Sequence, residues 1–282
     1  MRASRTKYIY SYTVLIIWAL IIILPLYWVV LTSFKTGQAL GNRATFIPWV
    51  DFQPSLQAWH GLFSQNLGNW QRYFGNSLIV GLWTATLTTI FGLMGGYALA
   101  RWQSLGPFSS SQFSFLLLQQ RMFPAALLAI PMLVIFRELR LLDTLTALVI
   151  LYTAFSVPFA VWLLTDFVRG IPMEIEESAM IDGCSRLGVI FRITLPLAAP
   201  GLVGVFVLVL ASAWNEYFFA LVLTFGNSVT VPIFVQNQLN QGQNIGWWNV
   251  AAIGITSFLP LAIVALVLQR FIQRGLTMGA VK

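Results

Sequence analysis

The sequence predicts an all-α integral membrane protein with six transmembrane helices. Three observations lead there. Of 282 residues, 58% are apolar and only 9% are charged, with a mean hydropathy of +0.78. Soluble domains carry about one-quarter charged residues, so this chain lacks the polar surface to cover a globule. Six apolar runs reach the length of about twenty residues that a bilayer core demands. These runs are continuous and do not alternate with period two, which favours helices over barrel strands.

The first run is Tyr12 to Phe34. It follows Arg2, Arg5 and Lys7 as a signal peptide would, but it is longer than a signal h-region and no A-x-A site follows. An uncleaved helix is expected. The second run is Asn76 to Ala100, the third Phe113 to Phe136 and the fourth Thr144 to Val168. The fifth is Gly201 to Leu223 and the sixth Val250 to Phe271. Gly92 and Gly96 in the second run have G-x-x-x-G spacing, read as close helix packing.

Orientation follows from the flanking cations. With the N-terminus in the cytoplasm, Arg2, Arg5, Lys7, Arg101, Arg169, Arg186, Arg192, Arg270, Arg274 and Lys282 lie inside. Lys35, Arg43, Arg72, Arg137 and Arg140 lie outside. The bias predicts both termini in the cytoplasm.

The loops differ in character. Residues 35–75 form the longest outer connection, with Trp49, Trp59 and Trp70 suited to headgroup level and a short interfacial helix expected around Ser55 to Phe63. Residues 103–111 read as an ordinary inner turn. The connection after the fifth run is uncharged and amide-rich, from Gln236, Asn237 and Gln238 through Asn240 and Gln241 to Gln243 and Asn244. It is either a solvated loop or a face for polyhydroxyl groups or a protein partner, since amides donate and accept.

The inner connection 169–199 is too long for an idle turn and holds Glu174, Glu176, Glu177 and Asp182, four of the nine acids. Pro172 can start a helix whose N-terminal dipole Glu174 and Glu176 complement, and Asp182-Gly183 reads as its stop. A second short helix is expected from Arg186 to Leu195, ended by Pro196. Ile175, Ala179, Met180 and Ile181 give the first helix an oily side, which suits a groove in another protein or rest on lipid. Its net acidity favours the groove, because the inner leaflet is anionic.

Glu177-Ser178-Ala179, Gly183 four positions on, Ile193 and then Leu195-Pro196 resemble the E-A-A…G…I-x-L-P signature of ABC importer permeases. Arg121-Met122-x-Pro124, Trp214-Asn215-Glu216 and the ending Gly275-Leu276-Thr277-x-Gly279-Ala280-Val281-Lys282 resemble its carbohydrate-uptake, maltose-permease-like branch. Ser178 and Cys184 stand where alanine is usual, both small replacements. The resemblance extends over essentially the whole chain. It implies one permease domain of the type I importer fold, paired with a second related permease, two cytoplasmic ATPase subunits and an extracytoplasmic solute-binding protein. ATP and Mg would belong to the ATPases, with no cofactor on this chain. The coupling segment would use Glu174, Glu177, Ser178, Ala179, Asp182, Gly183, Ile193 and Pro196, and residues 279–282 would lie near the ATPases.

Glu216, Asn215 and Arg121 are the polar residues expected within spans. Glu216 either lines the solute path or is a structural carboxylate bonded to a neighbouring helix. Arg121 either lines the path or pairs with a carboxylate here or on the partner subunit. Gln238, Asn240 and Gln241 are candidates for binding-protein contact. His60 reads as a surface residue and Cys184 as a packing residue. One Cys rules out an internal disulfide, one Cys and one His argue against a multi-ligand metal site, and no P-loop is present. No catalytic residues are expected. The function expected is ATP-driven, binding-protein-dependent import of a sugar, oligosaccharide or polyol by alternating access. The competing readings are an ABC permease for another solute and a self-contained secondary transporter.

Overall fold

A computed structural model of the chain describes residues 5–37, 39, 45–64, 70–102, 104–105, 108–239 and 246–278. Among these, four helices are long and apolar enough to cross a membrane, and two sharply bent pairs bring the number to six if each pair is one span.

Helix α1 (Arg5–Ser33) is followed by an irregular segment and by α2 (Gln57–Phe63), where the short interfacial helix was expected. Helix α3 (Trp70–Arg101) leads through a two-residue antiparallel hairpin, β1 (Ser104–Leu105) with β2 (Phe108–Ser109), into α4 (Ser110–Gln119). Ser109 caps α4 reciprocally with Gln112, a capping box. A 3₁₀ turn (Gln120–Met122), α5 (Ala125–Glu138) and α6 (Leu145–Arg169) follow.

The inner segment holds α7 (Met173–Ile181), α8 (Arg186–Val189), a π-helical turn (Ile190–Thr194) and α9 (Leu195–Leu197). It continues into α10 (Ala199–Trp214), α11 (Phe218–Leu223), α12 (Val231–Leu239) and α13 (Trp247–Met278).

Three expectations need correction. The run 113–136 is not one helix: the chain bends by 88° between residues 122 and 125. Phe123 is extended because Pro124 follows it, and a residue before proline avoids the helical region. The run 201–223 is likewise interrupted. Helix α10 stops at Trp214, giving a rod of roughly 24 Å against a core of about 30 Å. It is preceded, across a 74° bend, by the helical stretch Arg186–Leu197. Nor does Pro196 end the second short helix. The turn before it widens so that the Leu195 N–H donates to the Ile190 carbonyl, and helix continues to Leu197. π-turns of this kind absorb a local mismatch within a helix.

The described residues group into two compact units, 1–71 with 234–259 and 72–233 with 260–282. In the second unit, one apolar cluster joins Val80, Leu148, Leu151, Tyr152, Phe219 and Leu223, and another joins Ala85, Leu93, Leu164, Val168, Val205 and Val209. The glycines of α3 make the second cluster possible. A Cβ on Gly92 would meet the Ala160 Cβ at 2.6 Å, and one on Gly96 would meet Thr165 and Leu164 backbone at 3.0 and 3.1 Å. The G-x-x-x-G spacing is therefore the contact line of α3 against α6.

Candidate functional site

The segment α7–α9 projects an exposed surface while Glu176 fastens it to the inner end of α3. Pro172 precedes the first turn of α7, as its fixed φ favours. At the other end Gly183 has φ +86°. The Cys184 N–H donates to the Ala179 carbonyl at 2.9 Å, and the Gly183 N–H donates to the Met180 carbonyl at 3.1 Å. These two bonds are a Schellman motif, which requires a left-handed residue where glycine carries no Cβ penalty. Ser185 then caps α8 by accepting from the Gly188 N–H at 3.2 Å.

Glu176 is the fastening. It is buried, and its carboxylate meets Arg101 Nη2 at 2.7 Å. Tyr97 Oη and Thr194 Oγ1 each donate to it at 3.0 Å. Arg101 also donates to the Ile171 carbonyl at 3.2 Å. One carboxylate thus ties the end of α3, the first turn of α7 and the π-turn. Burial alone would push the Glu176 pKa up. The hydrogen bonds from Arg101, Tyr97 and Thr194 outweigh it and hold the carboxyl below its usual range.

This corrects the reading of Glu176 as a dipole-complementing surface acid. Its position in the first turn is as expected, but its charge is committed to Arg101. Sequence reasoning left Glu176 and Arg101 out of the site. The available signal was an acid three residues after Met173 and four before Met180, on the helix face shared with apolar side chains.

The other residues of the motif face outward. Glu174, Glu177, Ser178, Asp182 and Gly183 are exposed, beside exposed Ile175 and Ile181. Ser178 Oγ donates to the Glu174 carbonyl at 2.7 Å, so the hydroxyl in place of a methyl is satisfied within its own helix. Ala179 and Ile193 are half-buried and Pro196 is exposed. Cys184 is half-buried, and Gly188 makes room for its sulfur. Behind α7 lies an apolar cavity of about 500 Å³ whose lining includes Met94, Tyr97, Met180, Leu187 and Phe191.

Away from this segment, Glu216 sits in the break between α10 and α11. Its carboxylate accepts from the Tyr152 hydroxyl at 2.5 Å, from the Phe219 N–H at 2.9 Å and from the Ala220 N–H at 3.2 Å. It therefore caps α11 and ties it to α6. Asn215 is exposed and its amide donates to the Ala211 carbonyl at 2.8 Å. Arg121 lies in the 3₁₀ turn with its guanidinium 4.6 Å from the centroid of Phe159. Among the described residues no carboxylate pairs with it. Gln236, Asn237 and Gln238 belong to α12 and not to a loop, while Asn240 and Gln241 lie outside the described residues, as do residues 279–282.

Asp143 is a second residue that the sequence left unmarked. At φ +56° it points its carboxylate at the backbone N–H groups of Phe225, Gly226, Asn227 and Ser228, 2.9 to 3.2 Å away, and at the Ser228 hydroxyl at 2.9 Å. Burial acts to raise its pKa, but the donors from Asn227, Ser228 and Phe225 prevail and hold it far below the carboxylate range. Arg72 and Asn76 hold the same loop through Asn227 and Val229.

The hairpin of α7 and α8 thus presents an outward face of acids and apolar side chains and is anchored to the inner end of α3. The family model described as the binding-protein-dependent transport system inner membrane component matches residues 92–278. The chain belongs to this family. An inner membrane ABC transporter permease of Escherichia coli, YcjP, is 34% identical over 96% of this chain and 95% of its own length. The sulfoquinovosyl glycerol transport system permease SmoH of Agrobacterium fabrum is 32% identical over 92% of this chain and 88% of its own. The trehalose/maltose transport system permease MalG of Thermococcus litoralis is 31% identical over 100% and 99%. In fold, the permease is like a chain of a bacterial ABC transporter involved in alginate import, with TM-score 0.78, 24% identity and coverage of 96% and 99%. This permease is thus an ABC transporter subunit with the type I permease fold, in the inner membrane.

Proposed function

We propose that this permease forms half of the translocation path of an ATP-driven, binding-protein-dependent importer for a sugar, oligosaccharide or polyol. The relatives named for sulfoquinovosyl glycerol, trehalose/maltose and diacetylchitobiose transport support the substrate class. The observation that carries the mechanism is the buried tie between the exposed hairpin and the inner end of α3, where Arg101 and Tyr97 hold Glu176. A lever needs one face free for its driver and one rigid joint to its load.

In this reading Glu174, Glu177, Asp182 and the apolar side chains of α7 dock into the groove of a cytoplasmic ATPase. A second related permease completes the path, and two ATPases supply the stroke. When ATP closes the ATPases, α7 moves with its groove and draws the inner end of α3 through Arg101. The pair of permeases turns outward as a solute-binding protein releases its sugar. Both termini lie in the cytoplasm, and this chain carries out no covalent chemistry.

The test is ATP hydrolysis by the purified assembly, reconstituted with its binding protein and a panel of solutes. Carbohydrates or polyols are expected to stimulate hydrolysis and vesicle uptake together. Stimulation confined to amino acids, peptides or inorganic ions would establish a permease for another solute and overturn the substrate class.

A further inference from the structure

The irregular segment after α1 carries an exposed apolar tip in a place where water is a poor neighbour. Residues 45–52 turn back along α1. The Tyr27 hydroxyl donates to the Phe46 carbonyl at 3.0 Å, and the Trp28 and Phe46 rings lie 5.0 Å apart. Tyr27 is six residues before the end of α1, so the turn returns roughly 9 Å down the helix. The apolar part of α1, Tyr8–Ser33, measures about 39 Å, some 9 Å more than a hydrocarbon core. Even if all that excess emerged at the Ser33 end, the turn would reach the boundary of the acyl chains.

The turn is also chemically prepared for that boundary. Irregular backbone survives at membrane depth only where its polar groups are satisfied. Here Asp51 accepts from the N–H groups of Phe46 and Ile47 at 2.7 and 2.9 Å. The Trp49 N–H donates to the Phe52 carbonyl, and those of Val50 and Asp51 donate to the Ile47 carbonyl. Pro48 has no N–H, so every N–H from Phe46 to Asp51 has an acceptor within the turn. Lys35, fully buried, folds back over the Trp28 ring, 4.1 Å from its centroid, and donates to the Thr45 carbonyl at 2.7 Å. What remains outward is Phe46, Ile47, Trp49 and Val50, the last two 75% and 77% exposed. Trp49 moreover occupies φ +63°, where a solvated turn favours glycine or asparagine. A bulky indole in that conformation makes sense where the ring itself gains from its surroundings, as it does at the lipid headgroup boundary.

We infer that the Phe46–Val50 turn is a membrane anchor, inserted into the interface of the leaflet where the Ser33 end of α1 emerges, with phospholipid as its partner. The inference rests on α1 crossing the membrane, and it holds whichever side that end faces. The test places nitroxide labels at Val50→Cys and, separately, at Ile21→Cys in a Cys184→Ser background, in the assembled importer in phospholipid vesicles. Collisional relaxation is measured with molecular oxygen and with water-soluble nickel ethylenediaminediacetate. The expected result is that the Val50 label keeps oxygen relaxation and loses nickel relaxation, as the Ile21 label does. Free nickel access at Val50 would mean a solvated loop, and loss of both relaxations would mean cover by protein; either overturns the anchor. Nickel access at Ile21 would instead sink the span reading of α1, and the anchor with it.

Discussion

Glu176 and Arg101 have side chains only 4% and 10% exposed, so each depends on the other. Removing one partner of a buried pair costs on the order of 3–5 kcal/mol, because the remaining charge is stranded. Glu176→Gln is therefore expected to uncouple the permease: basal ATP hydrolysis by the assembly persists while binding-protein-stimulated uptake falls. Adding Arg101→Gln removes the stranded cation, and a double-mutant cycle in thermal unfolding should show recovery beyond additivity. Additive losses would mean the two do not act as a pair. Asp143 offers a test by pH. Its folded pKa lies below the unfolded value, so its contribution is present above the ordinary carboxylate range and is lost as pH falls through the folded value. Asp143→Asn keeps a residue that tolerates positive φ while removing the charge. It should cost about 1–3 kcal/mol at neutral pH. The gap in unfolding temperature between wild type and variant should narrow as pH drops below about 4; a gap constant with pH would contradict the charge argument.

Among elements, the α7–α8 hairpin makes the sharpest demands. Gly183 has open space around its Cα, so a substitution there meets no neighbour and tests only the backbone angle. Gly183→Val is expected to cost roughly 1–2 kcal/mol, with Gly183→Asn milder, since asparagine enters the left-handed region more readily. The measurement is ATPase coupling ratio at normal membrane abundance. Equal coupling in both variants would show that the Schellman end is dispensable. Cys184, next along the chain, is the only native thiol and serves as a ruler. A disulfide needs Cα atoms about 4.4–6.8 Å apart. An engineered cysteine lining the ATPase groove should cross-link to Cys184, with a yield that changes when ATP is trapped. If Cys184 instead reacts only with impermeant reagent from the outer side, the hairpin does not face the ATPases.

For the whole molecule, the scattered cations predict a topology that fusions can read. Reporters after Lys282 and within residues 101–111 are expected in the cytoplasm, and reporters within residues 41–69 outside. An external C-terminus would invert the path and move α7 away from any ATPase. Composition and apolar run length determined by themselves that this chain belongs in a membrane, because both depend only on counting along the chain. The bounds of α7 were equally legible, since Pro172 and Gly183 act on the residues beside them. Even the close approach of α3 was readable from Gly92 and Gly96, though not its partner α6. Tertiary structure alone decided that Glu176, and not its neighbours Glu174 or Glu177, is buried, because its partner Arg101 lies 75 residues away. It also decided that Glu216 caps α11 against Tyr152, that the third apolar run bends and that the fifth is interrupted. Hydropathy sums over a window and cannot register a single extended residue before Pro124. Which acid meets which cation depends on how helices pack, and packing is settled by contacts that no local stretch of sequence contains.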